Sequence, residues 1–117
     1  MNELLPCTGP ASCQRREIAV SATPEEARAA LDAAIRETHG IVIGRAGASV
    51  ATDGGGLHAE YRVAFGLFVD DVDAHIAPRA AQTVVTLRSA SRVGRGDLGV
   101  NALRMRALAA ALSERLG

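Results

Sequence analysis

One change of rhythm constrains this chain more than any other feature. After Thr23-Pro24-Glu25-Glu26, the residues Ala27, Ala30, Leu31, Ala34, Ile35 and Thr38 recur at helical spacing, and from Ile41 the period becomes two and stays so for about fifty residues. A chain that moves from a helical to an alternating pattern must bury a helix stripe against a sheet face, which points to layers of helix on sheet. The helix start is marked three times over: Thr23 suits the cap, Pro24 the first helical position, and Glu26 can reach back to the cap amide. Arg28, Asp32, Arg36 and Glu37 fall on the opposite side, and Gly40 is expected to end the helix.

The flanking segments follow from turn chemistry. Residues 1 to 14, with Pro6, Gly9 and Pro10, read as irregular, and Glu17 to Val20 as a short first strand. The alternating region reads as a meander. Its first strand runs from Ile41 to Thr52, and Asp53-Gly54-Gly55-Gly56 turns the chain. Leu57, Ala59, Tyr61, Val63 and Phe65 then alternate with His58, Glu60, Arg62 and Ala64, so one face is apolar and the other ionic. Gly66 separates this strand from the next, Leu67 to Ile76, and Ala77-Pro78-Arg79 supplies a further turn. Thr83 to Val93 is the last strand, with Val85 and Leu87 on one face and Thr86, Arg88 and Arg92 on the other. A glycine-rich connection, Gly94 to Gly99, leads into a helix from Val100 or Asn101 whose stripe is Met105, Leu108, Ala109, Leu112 and Leu116.

These elements predict an α+β fold for one domain, residues 1–117: a five-stranded antiparallel sheet with two helices on one face, ordered β-α-β-β-β-β-α. The pattern resembles the helix-grip and TATA-binding-like architectures. A ferredoxin-like sandwich is set aside because it requires another strand after the last helix. Of the residues, 48% are apolar, but 23 are Ala and only Tyr61, Phe65 and Phe68 are aromatic, so small aliphatics must build a closely packed core.

Charge excludes other classes. Thirteen Arg, with no Lys, balance 13 acidic residues, so no global field draws the chain to nucleic acid, and the few aromatics leave no stacking platform for bases. No run of about 18 apolar residues is present to span a membrane. Leu4-Leu5-Pro6-Cys7 has the look of a lipoprotein cleavage box without the basic and apolar stretches that should precede it, and a cytoplasmic location is expected. Cys7 and Cys13 flank the Thr8-Gly9-Pro10 turn. They are expected to be semi-buried thiols pinning that turn; a disulfide or redox role is the alternative, since the spacing allows one but a reducing cytosol would not preserve it. Two thiols alone make a poor zinc site.

Several longer strings carry a resemblance: Leu57-His58-Ala59-Glu60, Phe68-Val69-Asp70-Asp71-Val72, Arg88-Ser89-Ala90-Ser91-Arg92-Val93-Gly94 and Asp97-Leu98-Gly99-Val100-Asn101. Together with Leu5-Pro6-Cys7, Pro10 and Cys13 they resemble the uncharacterised family called domain of unknown function 1499 over nearly the whole chain. Arg95-Gly96 departs from the family's pattern of an aromatic residue and Ser, which bears on any ligand contact from that loop. The resemblance implies a domain extent and no activity.

The motifs divide into decoys and candidates. Gly94-Arg95-Gly96-Asp97-Leu98-Gly99 satisfies the dinucleotide fingerprint, but too little chain follows Gly99 for the strand-helix-strand unit that the fingerprint needs. Ser89 and Ser91 lack a nucleophile elbow. The first candidate is an anion site in which Arg88, Arg92, Asn101 and Arg104 converge near a helix start, with Glu60 and Asp71 orienting the arginines. The competing reading has Asp97 or Asn101 capping the helix, and Glu60 and Arg62 meeting Arg88 and Arg92 as a solvated ladder of pairs worth about 0.2–1 kcal/mol each. The second candidate is a metal or acid-base cluster of His58, Glu60, His75 and Asp71, with Asp73 as a further carboxylate. The expectation is a soluble, non-enzymatic binding or assembly module without a cofactor, taking a small anionic ligand or a protein partner. A metal protein or small enzyme is the alternative, and a homodimeric scaffold without a ligand is the third reading.

Overall fold

The structure, a computed structural model, describes Cys7 and residues 13–44, 55–63, 68–92 and 100–116. In chain order these form β1 (Cys13–Val20), α1 (Pro24–Glu37), β2 (Ile41–Gly44), β3 (Gly55–Val63), β4 (Phe68–Arg79), β5 (Gln82–Ser91) and α2 (Val100–Leu116). The strands make one five-stranded sheet in the order β1-β5-β4-β3-β2, with every neighbouring pair antiparallel. The expected α+β architecture is present.

Both helices cover the same sheet face. Leu31, Ala34 and Ile35 of α1 and Met105, Leu108 and Leu112 of α2 share one buried cluster with Leu57, Ala59 and Tyr61 of β3, Val72, Ala74 and Ile76 of β4, and Val85 and Leu87 of β5. Alternation explains the selection, because cross-strand partners such as Ala59 and Val72 point to one side while His58, Glu60, Asp71 and Asp73 point to the other. The alanines matter here: Ala27, Ala34, Ala59 and Ala74 are buried and let helix and sheet approach closely. On α2 the stripe is displaced from expectation, with Ala111 buried in place of Ala109, and Asn101 and Arg104 buried at its first turns.

The ends of α1 follow the sequence at one terminus and depart from it at the other. Thr23 Oγ1 accepts from the Glu26 amide at 3.1 Å while the Thr23 amide donates to Glu26 Oε1 at 2.9 Å, the expected capping box. At the C-terminus, the His39 amide donates to the Arg36 carbonyl at 3.1 Å and the Gly40 amide to the Ile35 carbonyl at 2.8 Å, which is the Schellman arrangement. His39, at φ 72°, is the left-handed residue, one position before the glycine. Gly40 is required for a different reason: a Cβ there would lie 2.6 Å from both Ile35 Cγ2 and Tyr61 Cζ.

Other boundaries also shift. β1 begins at Cys13 rather than Glu17, Gly55 and Gly56 lie in β3 rather than in a turn, and Pro78 and Arg79 complete β4. The β4–β5 turn is Ala80-Ala81, with Ala80 at φ 54° and Arg79 paired with Gln82. Pro78 lies beyond Ile76, the last β4 residue paired with β3 among the described residues, and pairs with Thr83 of β5. β2 spans only Ile41–Gly44, and the expected continuation to Thr52, Phe65 and the Gly94 to Gly99 connection lie outside the described residues.

Candidate functional site

The sheet divides the residues that the sequence suggests as one anion site. Arg104 and Asn101 lie on the helix side, beneath α2, in a saturated polar network. Arg104 Nη1 donates to Asp70 Oδ2 at 2.8 Å, Asn101 Oδ1 at 2.9 Å and Ser89 Oγ at 3.2 Å. Ser89 Oγ donates to Asn101 Oδ1 at 2.5 Å, and Asn101 Nδ2 donates to Ser91 Oγ at 3.1 Å. The Arg104 guanidinium also lies 4.4 Å from the centre of the Tyr61 ring. With side-chain exposures of 7% and 3%, Arg104 and Asp70 form a buried ion pair that tethers α2 to β4. Asn101 lies within α2, one residue past its first, and Arg104 faces inward.

On the helix-free face the register sets carboxylate against carboxylate. Glu60 of β3 stands directly opposite Asp71 of β4, an arrangement that is repulsive unless a cation intervenes. Arg92, just past β5, supplies it: Nε donates to Asp71 Oδ2 at 2.8 Å, and Nη2 donates to Asp71 Oδ1 at 2.9 Å and Glu60 Oε2 at 2.7 Å. The hydrogen bond to Asp71, and then that to Glu60, hold the guanidinium protonated far above its ordinary range. The Arg92 amide donates to the Val69 carbonyl at 3.1 Å, which fixes where the side chain leaves the backbone.

One row along, His58 Nδ1 lies 2.7 Å from Asp73 Oδ1, and His58 Nε2 lies 3.4 Å from Asp71 Oδ1. Donor atoms of His58, Glu60 and Asp71 all lie within 4.8 Å of one another, so the metal-type cluster assembles with the exception of His75. His75 sits on the same face but farther along, between Gly56 and Thr86. Glu60 and Asp71 are half-buried on this face, at 16% and 24% side-chain exposure, beside the exposed Arg92 and Arg62 at 47% and 55%. The expected direct pairing of the Glu60 strand with the Arg88 strand is absent, since β4 lies between β3 and β5. Glu60 reaches Arg92 across it, and Arg62 turns back to Glu60 at 3.6 Å.

Arg88 stands between Asp73 of β4 and Arg15 of β1. Its Nε is buried without a hydrogen-bond partner. At the end of β1, Cys7 and Cys13 are joined by a disulfide with a Cα separation of 5.6 Å, which replaces the expected pair of thiols.

The family described as "Protein of unknown function (DUF1499)" matches residues 10–112. The chain belongs to this family. The crystal structure of TTHA0849 from Thermus thermophilus is similar over 89% of this chain and 96% of that one, at 16% identity and a TM-score of 0.46. No curated protein matches.

In this DUF1499 chain, sequence reasoning overlooked Asp70 and Arg15 as members of the polar clusters. Asp70 and Asp71 are adjacent and belong to opposite faces, which alternation alone could have revealed. Arg15 was hidden because its segment reads as irregular rather than as a strand. No helix among the described residues is long and apolar enough to cross a membrane.

Proposed function

We propose that this chain is a non-enzymatic binding module that takes a small anionic ligand on the helix-free face of its sheet. The observation that carries this reading is the Arg92 clamp. Two carboxylates hold its Nε and Nη2 in a fixed plane, while nearly half of the side chain remains accessible at 47% exposure. A guanidinium oriented in this way presents donors to an oxyanion with little further ordering cost. The separation of Arg104 and Asn101 narrows the ligand surface to Arg88 and Arg92, with Glu60 and Asp71 in the orienting role. The Cys7–Cys13 bond supports an oxidising compartment in preference to the cytoplasm, because glutathione keeps most cytosolic thiols reduced.

The test is an NMR titration of isotope-labelled protein with a panel of phosphates and carboxylates. The expected result is saturable shifts confined to the helix-free side of β3, β4 and β5, weakened in Arg92→Ala. Absence of shifts on that face with every member of the panel overturns the reading.

A second reading rests on the His58, Glu60 and Asp71 donors. With Asp73 at Nδ1, His58 turns Nε2 toward Asp71, the relation that commonly orients a metal-bound imidazole. A divalent cation would have to displace Arg92 from both carboxylates. Stoichiometric zinc in purified protein, lost in His58→Ala, would favour this reading over the anion one.

A further inference from the structure

Among the described residues the helix-free face contains two like-charged cross-strand pairs, and one of them is bridged by a counter-ion. Glu60 opposite Asp71 has Arg92 between its members. Arg15 opposite Arg88, across β1 and β5, has no such counter-ion among the described residues. Cross-strand like charges at this spacing repel. The neighbouring carboxylates are engaged elsewhere: Asp73 Oδ1 is 2.7 Å from His58 Nδ1, and Glu17 is 3.5 Å from Arg79. Arg88 thus carries a permanent charge with a buried, unpartnered Nε and no ion pair within the salt-bridge distance among the described residues. A buried N–H on a cation without an acceptor is costly.

We infer that Arg15 and Arg88 form a binding site for a phosphate-type oxyanion, either inorganic phosphate or the phosphoryl group of a small phosphomonoester. This inference rests on the helix-free face being the ligand surface, and it names both the ligand class and a residue, Arg15, from the edge strand. Two guanidinium forks on adjacent strands offer donors to separate oxygens of one tetrahedral dianion, whereas a monocarboxylate satisfies one fork. The ligand would accept the hydrogen bonds from Arg15 and Arg88 that Asp73 and Glu17 do not.

The test is a titration of labelled protein with inorganic phosphate and, in parallel, glycerol phosphate and acetate, following the backbone amides and the arginine Nε–Hε signals. Saturable shifts at Arg15 and Arg88 are expected with both phosphates and much weaker ones with acetate; the tighter of the two phosphates identifies the free ion or the ester as the preferred source. Arg88→Ala and Arg15→Ala should each weaken phosphate binding about tenfold or more, Arg88→Lys should recover part of the loss, and Arg16→Ala, on the opposite face, should bind as the parent does. Circular dichroism on each variant confirms that it folds. Shifts at Arg92 and Asp71 with Arg15 and Arg88 silent would overturn this inference and leave the broader reading intact, while silence across the whole face would overturn both.

Discussion

Arg104 of α2 and Asp70 of β4 meet at 2.8 Å beneath the helix, with the Tyr61 ring under the guanidinium at 4.4 Å. Removing one partner of such a pair strands the other charge in the interior. Arg104→Ala should therefore lose about 3–5 kcal/mol of unfolding free energy in a urea titration. The double variant Asp70→Asn/Arg104→Met should lose less than Arg104→Ala alone, because no charge is left uncompensated; an equal or larger loss would show that packing on Tyr61 dominates.

Gly40 seals the contact between the end of α1 and β3. Gly40→Ala places a methyl group 2.6 Å from Ile35 and Tyr61, so it should cost about 1–3 kcal/mol by overpacking. His39→Gly relieves a left-handed φ of 72° and should stabilise by about 0.5–1 kcal/mol. Thermal denaturation of the two variants should therefore move in opposite directions.

The Cys7–Cys13 bond closes a short loop, with a sequence separation of 6. On the chain-entropy argument a loop of that size contributes about 2 kcal/mol. Reducing agent should lower the stability of the parent protein by up to that amount and leave Cys7→Ser/Cys13→Ser unaffected. A parent insensitive to reduction would show that the bond constrains only the N-terminal segment.

Two groups give opposite pH signatures. The Thr23 amide, and then its hydroxyl, hold the Glu26 carboxyl below its ordinary value of 4.5, so the associated stabilisation is present above that value and is lost as the pH falls through the depressed one. Burial pushes the Tyr61 hydroxyl above its ordinary value of 10.0, against the opposing effects of the Thr38 bond and Arg104. Its contribution is present below pH 10.0 and is lost as the pH rises through the raised value. Carboxyl NMR should find Glu26 titrating below 4.5 with a return toward it in Thr23→Ala, and ultraviolet titration should find Tyr61 above 10.0.

Much of this was legible from residue order. Alternation along β3 separates Leu57, Ala59 and Tyr61 from His58 and Glu60, and the capping box at Thr23 and Glu26 marks the start of α1. These are local properties, carried by side-chain spacing of two or four residues and by hydrogen bonds spanning one turn. Arg88, Arg92, Asn101 and Arg104 looked like one cluster because they are close in sequence, but a strand and a helix point nearby residues to different layers. Arg92 was free to reach Asp71 and Glu60, while Arg104 met Asp70 on the far side of the sheet.

The class of fold, the helical stripes and the apolar side of the meander follow from residue order alone, since periodicity dictates which residues must leave water. Which charges compensate one another follows from the folded arrangement. That depends on strand order and register: placing β4 between β3 and β5 put Glu60 against Asp71, and adding β1 beside β5 put Arg15 against Arg88. Coulomb energy is set by the distance between groups in space, and that distance is fixed only when the strands have paired.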